Sequence, residues 1–135
     1  MVDIFVSHSE QDRDVAQALA KFLEGLGWAV LWGKTPVRDD DRHDVNMAEL
    51  ANTQLVIVIW SRSSVSKAFL LREAIAARDA NKLMHVTNSA APPKPLPVHR
   101  PNEVMLDASD LAQISLAVSA FMRQRVRRPK STRRE

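Results

Sequence analysis

No cysteine occurs among the 135 residues. Disulfides, thiolate metal sites and a cysteine nucleophile are therefore excluded. Tyrosine is absent as well, and aromatic residues make up only 5% of the chain. A core must be assembled mainly from aliphatic side chains. No apolar run approaches the roughly 20 residues that cross a bilayer, and no signal-peptide pattern precedes Asp3. A cytoplasmic location is the expectation. The four histidines, His8, His43, His85 and His99, show no ligand spacing. The acidic run Asp39–Asp41 lacks the other ligands a hard cation needs. No metal site is expected.

What is present fits one ordinary domain. Hydrophobic residues make up 45% and charged residues 26%, a balance typical of a single packed core. The net charge of +3 is unevenly spread. Of 19 basic and 16 acidic residues, seven basic and one acidic lie in 123–135, leaving 12 against 15 over 1–122. The pI of about 9.7 therefore describes the end of the chain, not a nucleic-acid-binding face on the domain. The expected division is a domain over residues 1–125 and a basic, disordered tail over 126–135. Nucleic acid is not an expected partner, because no aromatic residue is interleaved with the basic ones. Any membrane contact would run through the tail.

Taken in order, the chain alternates strands and helices. Asp3–Ser7 (DIFVS) reads as a buried strand. Ser9 with Asp12 three residues later resembles a capping box, with Asp in place of Glu. A helix follows, with Val15, Ala18, Leu19, Phe22, Leu23 and Leu26 at helical spacing, and Gly25 and Gly27 stop it. Trp28–Trp32 (WAVLW) is a second strand, residues 33–44 a polar loop, and Val45–Asn52 a short helix. Leu55–Trp60 (LVIVIW) is the most continuously apolar strand and so the most central. A serine-rich turn (Ser61–Ser66) and a helix carrying Glu73 come next. Lys82–Thr87 is a fourth strand, and Glu103–Leu106 a short edge strand. Between them five prolines, at 92, 93, 95, 97 and 101, impose a loop. Ser109 opens a last helix with the stripe Leu111, Ile114, Ala117, Val118, Phe121 and Met122.

Such alternation predicts an α/β flavodoxin-like three-layer fold. It has a five-stranded parallel sheet of order 2-1-3-4-5 with helices on both faces. In that order a ligand crevice opens at the carboxyl ends of strands one and three. Residues 7–12, 32–42 and 61–73 would surround it. Glu73, about two turns into its helix if Ser66 caps it, shares a ridge with Phe69 and Ala77 beside Leu70. Helical side chains lean toward the N-terminus, which aims this carboxylate at the crevice. The plain reading stays open beside it. Glu73 could be a solvated helix residue, the serines could cap, Asp12 could serve the helix start, and Trp32 could plug the sheet. A phosphorylation receiver shares this topology but needs an Asp ending strand three, where this chain has Ile59-Trp60-Ser61.

DIFVSHSEQDR, a helix ending GLGWAV, IVIWSRSSVS and a helix with REAIAA together resemble a bacterial TIR (Toll/interleukin-1 receptor) domain, over about residues 2 to 122. The resemblance implies one of two activities. One is hydrolysis of NAD to nicotinamide and ADP-ribose, or a cyclic product, on self-assembly in immunity or signalling. The other is a non-catalytic module or effector that associates with other TIR domains. For the first, Glu73 matches the catalytic carboxylate, NAD is substrate, and no cofactor is required. Ser7, His8, Ser9, Asp12, Trp32, Ser66 and Phe69 would bind the substrate. Lys34, Pro36, Arg38 and Arg42 would belong to the self-association loop, and a sensor domain or subunit could accompany the chain. That loop departs from the family pattern. Arg42 stands at a usual Trp, Gly33 at a usual Asp, and no Gly follows Gly33.

Overall fold

The computed structural model of the chain describes residues 2–32, 50–61, 68–88 and 105–131, the side chains of Phe69 and of 125–131 excepted. Five strands, β1 (Ile4–Ser7), β2 (Val30–Leu31), β3 (Leu55–Trp60), β4 (Leu83–Thr87) and β5 (Met105–Asp107), form one sheet of order β2-β1-β3-β4-β5. Every pairing is parallel, with Ser7 opposite Val58 and Trp60 opposite Thr87. This is the flavodoxin-like order that the alternation of elements predicts. Among the described residues the helices are α1 (Arg13–Gly25), α2 (Ala68–Asp79) and α3 (Leu111–Ser131).

β3 lies at the centre, and all six of its residues are buried. Its side chains alternate between two cores, as the twofold period of a strand requires. Leu55, Ile57 and Ile59 join Ile4 and Val6 beneath α1 and α3, where Leu19, Leu23, Ile114 and Val118 pack. Val56, Val58 and Trp60 join Phe5 beneath α2 and Leu50. Each such side chain contributes about 1.5–3 kcal/mol by burial. Truncating Ile57 to Ala would remove about 2–5 kcal/mol.

Several element ends differ from expectation, each for a local reason. β2 pairs only over Val30–Leu31, within the expected 28–32. The apolar stripe of α1 stops at Leu23, and Leu26 is 49% exposed because the helix has already ended at Gly25 and the chain turns through Gly27 at φ 104°. α3 starts at Leu111 rather than Ser109 and runs to Ser131. Leu50 and Ala51 are helical, as expected for the end of a short helix before β3. Lys82, buried just before β4, donates from Nζ to the Leu50 and Thr53 carbonyls at 2.7 and 2.8 Å. A cation at that helix end complements carbonyls the helix leaves unpaired.

Candidate active site

α2 sits with one stripe against the sheet: Leu70, Glu73, Ala74 and Ala77, all with no exposed surface. These positions recur at 3, 4 and 7 residues, the spacing of a core-facing helical stripe. Three are apolar and the fourth is a carboxylate. A carboxylate is almost never fully buried without polar partners. One partner comes from β1: Ser7, the last residue of that strand, donates its hydroxyl hydrogen to Glu73 Oε1. The pair joins residues 66 apart in sequence at the carboxyl end of the sheet.

A second cluster lies beside it. Asp12, 2% exposed, takes three hydrogen bonds on its carboxylate. Ser9 Oγ donates at 3.0 Å and Ser61 Oγ at 2.7 Å, both to Oδ2, while Asn88 Nδ2 donates to Oδ1 at 2.8 Å. Asp12 thereby ties together the chain leaving β1, the residue that follows β3 and the residue that follows β4. The capping-box expectation fails here. The Ser9 hydroxyl makes no bond to a helix amide and turns to the Asp12 carboxylate instead. A short 3-10 turn, Glu10–Asp12, intervenes before α1, so Asp12 points inward rather than capping.

His8 and Trp32 form a third group. The His8 ring sets Nδ1 2.8 Å from the Ser9 carbonyl oxygen and Nε2 2.7 Å from that of Trp32, which links the ends of β1 and β2. The Trp32 ring is 7% exposed and packs in the α1–α3 core, with the Arg13 guanidinium 5.5 Å over it. That arrangement fits a capped hydrophobic plug.

Of the residues the sequence nominates, the fold brings Ser7 onto Glu73 and Ser9 onto Asp12, and it sets His8 against Trp32. Phe69 lies on α2 one turn before Glu73, with its side chain outside the described residues. Ser66, Lys34, Pro36, Arg38 and Arg42 also lie outside them. Ser61 and Asn88 were not singled out. Their only signal was position, immediately after the carboxyl ends of two central strands. A groove of about 450 Å³ lies elsewhere, between α3 and the β4–β5 edge, lined by Met84, Leu106, Gln113, Leu116 and Ala117 among others, and none of the nominated residues lines it. No group of three or more His, Asp or Glu side chains suited to a metal gathers among the described residues. None of their helices is long and apolar enough to cross a membrane.

A doubly wound parallel sheet with a carboxylate buried at its carboxyl edge defines the class: a flavodoxin-like α/β domain whose polar residues gather where such folds bind ligands. The chain belongs to the TIR domain family, whose profile matches residues 4–120. Among solved structures it is similar to the TIR domains of the activated Roq1 resistosome that directly recognizes the pathogen effector XopQ. The TM-score is 0.51 and the identity 16%, over 67% of this chain and 60% of that one. At that identity the likeness shows a shared fold. No curated protein matches the chain.

Proposed function

We propose that this domain cleaves NAD, releasing nicotinamide and ADP-ribose or a cyclic product, and that it does so on self-assembly in bacterial immunity or signalling. The observation that carries this reading is Glu73. A helix whose other inward residues are Leu70, Ala74 and Ala77 places a carboxylate in the core at the ligand-binding edge of the sheet. Nothing in packing favours a charge there. Burial of a carboxylate costs stability, and such costs concentrate where chemistry needs the group.

The chemistry uses one anion. When the bond between the ribose C1′ and the nicotinamide nitrogen breaks, the electron pair leaves with nicotinamide, which departs neutral. Positive charge develops on the ribose. A carboxylate in a site of low dielectric stabilises that charge more in the transition state than in the ground state. Water then adds at C1′ and releases a proton, or a hydroxyl of the same product adds and closes a ring. In this reading Glu73 is the catalytic residue, and Phe69 and Ser66 help shape the pocket. Residues 34–42 supply the contact between protomers.

A second reading, a non-catalytic TIR module, draws on the same burial. Glu73 exposes no surface, and Ser7, Ser9 and Asp12 bond to one another's neighbourhood rather than to solvent. Incubating the pure chain with NAD at high protein concentration and measuring nicotinamide release separates the two. Turnover that disappears in Glu73→Gln supports the enzyme. Absence of turnover even under forced assembly, or equal turnover by Glu73→Gln, supports the module.

A further inference from the structure

We propose that Ser7 is the positioning residue of this site: it acts through Glu73, fixing the direction of that carboxylate, and does not itself contact the substrate. The inference rests on the NAD-cleaving reading and assigns Ser7 a role different from the substrate contact its sequence position suggests.

The argument starts from rigidity. Ser7 is 2% exposed and ends β1, a strand paired on both sides, with its own Cα opposite Val58 of the central strand. Pairing with β3 holds its backbone in the sheet on that side. Glu73 stands on a helix anchored by Leu70, Ala74 and Ala77, so the Cα of the carboxylate is held too. What remains free in such a glutamate is rotation about its side-chain bonds, and an anchor on one oxygen removes most of it. Ser7 supplies that anchor on Oε1.

Proton counting gives the direction. A serine hydroxyl has one hydrogen, and here it is donated to Glu73. The neighbouring hydroxyls are committed differently: those of Ser9 and Ser61 donate to Asp12. Among these three described hydroxyls, Ser7 is the one that donates to Glu73. A hydrogen bond to a charged, buried group contributes about 1.5–3 kcal/mol, which corresponds to a rate effect of roughly ten- to hundredfold if the geometry matters only in the transition state.

The test compares the full chain with Ser7→Ala and Ser7→Thr. A positioning role predicts that Ser7→Ala lowers kcat for nicotinamide release roughly ten- to hundredfold, with KM for NAD nearly unchanged. Ser7→Thr, which keeps the hydroxyl, restores most of the loss. A rise in KM with kcat preserved would make Ser7 a substrate contact and overturn the proposal. A readout free of turnover accompanies it. The carboxylate stretch of Glu73, isolated as the infrared difference between the native chain and Glu73→Gln, should shift in Ser7→Ala. An unshifted band shows that the hydroxyl does not govern the carboxylate and also overturns the proposal. If the native chain releases no nicotinamide, the NAD-cleaving reading fails by itself, and the infrared comparison still decides whether Ser7 holds Glu73.

Discussion

Glu73 and Asp12 are both buried carboxylates, yet they are situated differently. Asp12 is shared among Ser9, Ser61 and Asn88, side chains from three separate segments. It works as a tie for the carboxyl end of the sheet. Glu73 takes a hydroxyl from β1 and stands on a stripe whose other inward residues, Leu70, Ala74 and Ala77, are apolar. Removing each should therefore have opposite consequences. Asp12→Ala takes away an acceptor common to three donors and should lower the unfolding free energy by about 2 kcal/mol or more, measured by urea denaturation. A loss near zero would mean that the cluster is not a structural tie. Glu73→Gln keeps the shape and relieves a buried charge, so its thermal midpoint should stay close to that of the native chain while nicotinamide release falls to background. The sequence made Glu73 visible through its place near the start of the helix after the central strand and through the resemblance to TIR domains. It did not show the partners of Asp12, since Ser61 and Asn88 lie 49 and 76 residues away along the chain.

At the scale of elements, the strands were the most readable part. An uninterrupted apolar run such as Leu55–Trp60 has to be covered on both faces, and it is. Element starts were less readable, because polar side chains at a helix entrance have several acceptors and donors within reach. Ser9 and Asp12 carried the spacing of a capping box and formed a core cluster instead. Ser109 carried the appearance of a cap, yet Asp110 takes that place, accepting from the Gln113 amide at 3.2 Å. Ser109 belongs to the turn before it. Its hydroxyl and its amide both donate to Asp107 Oδ1, at 2.7 and 2.8 Å.

That turn makes a pH prediction. The Ser109 hydroxyl, and after it the Ser109 amide, hold the Asp107 carboxyl below its ordinary value of 3.8. The folded state thus binds this proton less readily than the unfolded state. The contribution is present above 3.8 and is lost as pH falls below it through the folded-state value. The stability gap between the native chain and Asp107→Asn, read from denaturation midpoints at successive pH values, should close on that acid side. A gap that stays constant would show that the turn does not couple to this proton.

For the whole molecule, strand order matters more than any one contact. Placing β1 between β2 and β3 brings residues 7, 12, 61 and 73 to one edge, and β4 adds Asn88. Because Glu73 exposes no surface in the single chain, the NAD-cleaving reading requires an assembled state in which the carboxylate is reached. Specific activity should therefore rise with protein concentration, so that total nicotinamide release grows more steeply than in proportion to the enzyme added. Nicotinamide release per mole of chain that is independent of concentration would remove self-assembly from the proposal. Seven of the chain's basic residues lie after residue 122. The described part of their segment belongs to α3.

The sequence by itself determined the period of every element. Alternation of apolar runs with helical stripes is a local pattern, and a chain without cysteine has only packing and hydrogen bonds to complete it. That pattern was enough for the class of fold and the 2-1-3-4-5 order, while the choice of Glu73 also drew on the family resemblance. Which polar groups meet was decided by tertiary structure. A hydroxyl pairs with whatever acceptor the folded backbone brings within about 3 Å, and adjacent hydroxyls on β1 and the turn after it, Ser7 and Ser9, were sent to different carboxylates. Only the register of β1 against β3, with α2 laid across them, sets the one on Glu73 and the other on Asp12.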